Sequence, residues 1–554
     1  MNSKNKKMTL TEWNKIPTEW RNMFLFNVYY IDNDPANVEI KGVDTWGNLS
    51  NNNFIKAFNS ENNSFDLDSF MNKLENLHYF YIYEMFLDWV HSLEPLTIVK
   101  NLKTLEIVGN EHDLSQLANL KNLNKIILEN NGPDLQGLSK INSLKTLVIK
   151  GWPDDINQLS KVKKITELCL DQPSFNIAPL VKLKKLKKLC LKWRYTKQTK
   201  LTALNEMKQL KELTLSQGDS SAVSLSKISK LTELESLTLD LETVNLKPIH
   251  KLNKLSKLTI SSEDSIDLQP LANMKGLEYL KFGYNAYGHN ENILNNLKNI
   301  KTLIINSIDD SLNLKNLTNL KHLECSYFPK DKLNELSQLT KLEHLEINNN
   351  TTDIKDYDFL LKLKKLKHLE IKSHSTDKPI RGMLPLNNLS ELEYMNLEVN
   401  RFEDLSFFKY LVNLKHLNLH ENRADLSPLK DLTNLIYLSL DLNKADITPL
   451  GSLTNLEELH LRFNDFKLTP IAKLINLKKL IFENNKFDIT PISKLKKLEY
   501  FSSKYNKSDI TPIIVLKQLK YFVVTFCPTP KSKLTDFLNT ITAKGGYANY
   551  YEEK

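Results

Sequence analysis

The chain is predicted to fold as an α/β solenoid, a stack of about 20 to 21 short repeats that share a parallel sheet and are capped at both ends. Three observations predict it. One spacing, apolar-x-x-apolar-x-apolar, recurs 20 times between Leu102 and Val524. Most recurrences lie 20 to 24 residues apart, a regularity that leucine content alone does not produce. Leucine is also unevenly spread, with nine in the first 100 residues and a dense run of it afterwards.

Residues 1 to about 75 stand outside the spacing and hold Trp13, Trp20 and Trp46, with Trp89 just beyond. Three tryptophans in so short a segment point to a packed N-terminal cap, with a small separate domain as the alternative. The solenoid is read as residues 76–527. Leu77-x-x-Phe80-x-Ile82 looks like an early copy, and Leu102-x-x-Leu105-x-Ile107 and Leu123-x-x-Ile126-x-Leu128 open the regular series. Within each copy the x-apolar-x-apolar-x part has period two. It makes a short strand with its leucines inward, and successive strands stack in parallel. No single repeat can bury its own leucines, so stability builds with neighbours.

Asn follows the strand at a fixed place in half of the copies: Asn110, Asn131, Asn285, Asn350, Asn400, Asn422, Asn443, Asn464, Asn485 and Asn506. Its amide can satisfy turn backbone groups in its own and neighbouring repeats. Cys527 takes this place in the last copy. The return limb reads Asp446-Ile447-Thr448-Pro449-Leu450, Asp488-Ile489-Thr490-Pro491-Ile492 and Asp509-Ile510-Thr511-Pro512-Ile513. There Asp or Thr caps a short helical turn, and Pro suits its first residues.

These residues resemble the leucine-rich repeat family, in the short class found in bacterial internalin-like proteins and SDS22-like phosphatase regulators. The resemblance spans about residues 75 to 527. It implies a horseshoe or arc whose concave sheet binds another macromolecule.

The stretches 193–200, 217–224 and 373–383 accompany longer repeat steps and are expected to protrude as loops. Residues 528–554 are read as a C-terminal cap helix, KLTDFLNTITAK, followed by a tail, GGYANYYEEK.

Composition narrows the function. A chain 41% hydrophobic and 25% charged is a folded protein. Four scattered cysteines, Cys169, Cys190, Cys325 and Cys527, suggest free thiols in a reducing compartment. Thr9, Glu12, Asn14 and Lys15 stand where a secretory leader needs an apolar run, and no membrane-length apolar stretch occurs. The expected location is therefore cytoplasmic, with secretion by a non-classical route as the alternative. A net charge of +9 from 75 basic and 66 acidic side chains is too small an excess to argue for nucleic acid. The basic run at 181–200, including Lys184, Lys185, Lys187 and Lys188, reads as a solvated face.

No GxxxxGK[ST], GxGxxG, HExxH or GxSxG motif occurs, and 14 glycines leave little for a phosphate loop. No catalytic residue, cofactor, membrane or small-molecule substrate is expected. The outward strand positions say more, because parallel stacking aligns equivalent residues into columns about 4.8 Å apart. Flanking the middle apolar residue come His322 and Glu324, His344 and Glu346, His368 and Glu370, Tyr394 and Asn396, His416 and Asn418, then Tyr437. His420, Asp441, His460 and Arg462 extend the field. Such aromatic and hydrogen-bonding side chains suit a partner-protein surface. The same His and carboxylate columns could ligate zinc, but no spacing fixes a tetrahedral shell, so no metal is assigned. The expected function is a non-enzymatic protein-interaction scaffold. A translocated effector or surface factor that binds a host protein is one alternative; an enzyme whose small N-terminal domain the repeats target is another.

Overall fold

The computed structural model describes residues 10–17, 20, 21, 23, 24, 27, 67–82, 92–109, 112–129, 135–151, 156–171, 176–193, 201–218, 223–283, 287–349, 357–373, 384–397, 402, 404–421, 424–443, 445–463, 467–483, 488–505, 507–543 and 546–552. The chain divides into two compact units, Met1–Ile266 and Asp267–Lys554.

In the first unit, nine strands among the described residues run from Tyr79–Ile82 to Lys257–Ser261, each parallel to the next. Their register follows the sequence spacing: Phe80 stands opposite Leu105, Leu105 opposite Ile126, and Ile126 opposite Leu147. All four are fully buried. Burial of each such side chain stabilises by about 1.5–3 kcal/mol, and each shares the gain with both neighbouring repeats. Between strands the chain returns through short 3-10 turns such as Leu114–Asn119 and Gln136–Lys140. Gly137 lies so close to the backbone of Leu114 and Ser115 that any Cβ would collide with it, so only glycine lets these turns stack.

Trp13 and Trp20 are buried with Phe24 and Phe70. Phe24 packs edge-on against Phe80 of the first strand at 5.7 Å, and the Trp20 indole donates to the Ser92 carbonyl at 3.0 Å. Asn27 is also buried. Its amide donates to the Tyr81 carbonyl at 3.0 Å while its carbonyl accepts from the Tyr81 amide at 2.8 Å. One side chain thus satisfies backbone groups at an outer strand, the place where a sheet is most open to unwanted pairing. Trp46 and Trp89 lie outside the described residues.

In the second unit, the parallel strands run from Tyr279–Phe282 to Tyr547–Glu552. The return limbs Thr448–Ser452, Thr490–Lys494 and Thr511–Val515 are 3-10 turns with Pro at their start. Asp446, Asp488 and Asp509 accept from the Thr448, Thr490 and Thr511 amides at 3.0, 2.9 and 3.0 Å, as the motif predicts. Asn443 is the one register asparagine among the described residues; the other nine fall outside them. It is fully buried and donates to the Leu419 carbonyl of the preceding repeat at 2.8 Å and to Asp441 at 3.3 Å.

The C-terminal helix forms at Thr535–Ala543. The segment after it, read from sequence as a tail, is instead a strand, Tyr547–Glu552, parallel to Tyr521–Cys527. Tyr550 is buried there and donates its hydroxyl to the Thr529 carbonyl. Of the expected loops, residues 194–200, 219–222 and 374–383 lie outside the described residues.

Candidate functional site

The face opposite the leucine core in the second unit carries the columns. Register pairing runs His322, His344, His368, Tyr394, His416, Tyr437 and Glu458 in one file. The adjacent file runs Glu324, Glu346, Glu370, Asn396, Asn418, Ser439 and His460. Period-two alternation puts both files on the same side, because the residue between them in each strand is a buried Leu or Met.

The first file is a stack of rings. His322 and His344 lie 3.9 Å apart at 7°, His344 and His368 3.8 Å at 13°, and His368 and Tyr394 4.0 Å at 4°. Contact then loosens: Tyr394 to His416 is 6.1 Å and His416 to Tyr437 is 5.8 Å. Tyr437 meets His460 edge-on at 5.1 Å, and His460 bonds Glu458 at 2.6 Å. Burial among neighbouring rings lowers the pKa of His322, and it lowers that of His368 to about 4. Tyr394 is pushed up to about 12, by burial first and then by the Glu370 carboxylate, to which its hydroxyl donates at 3.2 Å.

The second file sinks deeper than its polar character suggests. Glu370, Asn396 and Ser439 are all buried, as is Asp441. Buried in this way, they are wall rather than free contact surface. Asp441 accepts from the Arg462 amide at 2.6 Å, and the Arg462 guanidinium lies 3.8 Å from both Asp441 and Glu483. Asn418 accepts from the His420 amide at 3.0 Å.

Two further ladders were missed in the sequence. Tyr500, Tyr521 and Tyr547 continue the first file, stacked at 4.1 and 5.1 Å, with the Lys479 ammonium 5.1 Å over Tyr500. Their signal was the tyrosine at one repeat position in EYF and KYF. Glu421, Leu442, Phe463, Tyr505 and Phe526 form the second. Each has a left-handed backbone, φ 53° to 59°, which non-glycine residues rarely adopt. The apolar members are exposed, and Tyr505 stacks on Phe526 at 4.7 Å. Their signal was an apolar residue just before the register position.

Within the basic run, Lys188 is ion-paired, reaching Glu167 at 3.6 Å and Glu212 at 3.2 Å. Cys169 and Cys190, register partners on adjacent strands, are free thiols with sulfurs 2.6 Å apart. No described helix is long and apolar enough to cross a membrane.

No protein-family model and no curated protein matches the chain. Among solved structures it is similar to an internalin C2 from Listeria monocytogenes, at 32% identity over 34% of this chain and 82% of that one, with a TM-score of 0.31. It is also similar to the functional domain of InlJ from Listeria monocytogenes, at 17% identity over 63% of this chain and 75% of that one, TM-score 0.46. A Leptospira interrogans LRR protein matches at 19% identity over 79% of this chain and 97% of that one, TM-score 0.41.

Proposed function

Because the chain belongs to the leucine-rich repeat family, by its own repeats and by its identity to an internalin, we propose that it is a non-enzymatic scaffold that binds a partner protein. The docking face is the outward, concave side of the sheet between Leu320 and Arg462, together with its rim loops. The observation that carries this reading is the ring file from His322 to Tyr437. Aromatic side chains bury large areas at small entropy cost, and hydrogen-bonding groups beside them give specificity. Residues 1–75 act as a cap, a reading supported by Asn27 and the buried tryptophans. A reducing, cytoplasmic setting agrees with four free cysteines.

The test is affinity capture with the intact chain, followed by quantitative binding of the captured protein. Replacing Tyr394, His416 and Tyr437 together by Ala is expected to keep the fold, because none belongs to the leucine core. Partner binding should weaken by about 2–4 kcal/mol, on the scale of interface hot spots. Replacing Lys184, Lys185, Lys187 and Lys188 should change mainly the salt dependence of association. If the lysine variant loses the partner at physiological salt while the triple Ala variant binds normally, the docking face is the basic run instead.

A further inference from the structure

We propose that His322, Glu324 and His344 form a site for one zinc-type divalent cation, which His344 can equally complete with Glu346 and His368. The ligand atoms of each triad lie within 4.8 Å of one another. Sequence spacing placed these residues on neighbouring strands. It left open whether their donor atoms converge, and in the structure they do.

His344 is the pivot. Its Nε2 stands 3.9 Å from Glu324 Oε1 on one side and 3.9 Å from Glu346 Oε2 on the other. That nitrogen is buried and has no hydrogen-bond partner, and the same is true of His368 Nε2. Buried imidazole nitrogens are seldom left so, because each forgoes the hydrogen bond it would make in water. An ion held by His344, Glu346 and His368 would occupy both atoms at once, whereas one held by His322, Glu324 and His344 would occupy only the first. His322 Nε2 already meets Glu324 Oε1 at 2.5 Å, a contact in which a proton fills the role proposed for the cation.

The dimensions suit zinc. With Zn–N and Zn–O bonds of about 2.0–2.2 Å, donor atoms in a tetrahedral shell stand about 3.3–3.5 Å apart. The observed separations of 2.5 and 3.9 Å bracket that value, and the stacked imidazoles must tilt out of parallel for their in-plane lone pairs to meet one ion. Two nitrogens and one carboxylate supply three ligands and leave a fourth position for a water molecule. One outer contact holds a ligand in place: Asn348 donates to Glu346 at 2.5 Å. The third carboxylate in the file, Glu370, is engaged by Lys372 at 2.5 Å and by Tyr394, which ends the site at His368. Both triads draw on one nitrogen of His344, so the capacity is one ion per chain.

The experiment is calorimetric titration of the tag-free full-length chain with zinc chloride at neutral pH, repeated with cobalt(II) to read the visible absorption of a tetrahedral site. Binding of one ion per chain is expected. His344→Asn should weaken it at least about tenfold and abolish the cobalt bands, whereas His416→Asn, further along the same file, should leave both unchanged. Should His344→Asn fail to fold by circular dichroism, the double variant Glu324→Gln/Glu346→Gln removes both carboxylates at near-constant shape and must show the same loss. Absence of saturable binding overturns the proposal, and so does equal binding by wild type, the His416 variant and whichever cluster variant folds. Partner capture by the Tyr394, His416 and Tyr437 variant is read separately, so failure of either reading does not decide the other.

Discussion

Glu458 is held by His460 at 2.6 Å and Lys479 at 2.9 Å, and these contacts lower its pKa to about 2, with burial opposing them. A carboxylate depressed in the folded state contributes stability above its unfolded value, about 4.3, and that contribution is lost as pH falls through the folded value. The full shift would correspond to about 3 kcal/mol, but the pair is partly open to water and screening leaves about 1 kcal/mol. Between about pH 6 and pH 2 the wild type should therefore lose about 1 kcal/mol more than Glu458→Gln in urea unfolding. Parallel curves for the two proteins would remove the linkage. At this scale the sequence showed which side chains share a file, because strand period two decides it. It did not show that Glu370, Asn396, Ser439 and Asp441 would be covered. Burial of a polar side chain depends on what packs around it in the fold, and that is not encoded by the residue itself. The left-handed Leu442, Phe463, Tyr505 and Phe526 were equally hidden, since their backbone is imposed by stacking against local preference.

The return limb shows the same division between local and imposed structure. Asp446, Asp488 and Asp509 each receive a threonine amide and hydroxyl, and Asp509 also accepts from Thr529 at 2.9 Å. Replacing Asp446 or Asp488 by Ala should cost about 0.5–2 kcal/mol in chemical denaturation. Asp509→Ala should cost more than either, because Thr529 is 2% exposed and loses an acceptor there. Equal losses at all three would mean that the Thr529 bond contributes nothing. These turns were legible because Asp, Thr and Pro act over two or three residues. The final strand was not. Its Gly-Gly entry and charged end look like a tail, and a helix lengthens the step from Tyr521 to its partner Tyr547 beyond the usual repeat. Only the register with the previous strand reveals it.

For the whole molecule, stability is a sum of nearest-neighbour terms along each unit. After Leu392 the repeats keep near-constant length, and most of them carry the Asp-capped turn. From Leu144 to Glu263 the repeat steps vary and residues such as Gly218 and Glu242 stand at the Asn position. Hydrogen exchange should accordingly find the strand amides after Leu392 slower than those before Glu263. Uniform protection, or the opposite order, would refute this. The neighbour-only bonding described for the strands has a mechanical consequence as well. A pull along the stacking direction loads one rung of backbone bonds at a time, as in a zipper, and does not shear many together. Each 21-residue repeat that lets go releases about 65 Å of chain, its extended length less the strand spacing. Under load the chain would lengthen rung by rung, in increments set by the length of each repeat, while the rungs still closed keep their register.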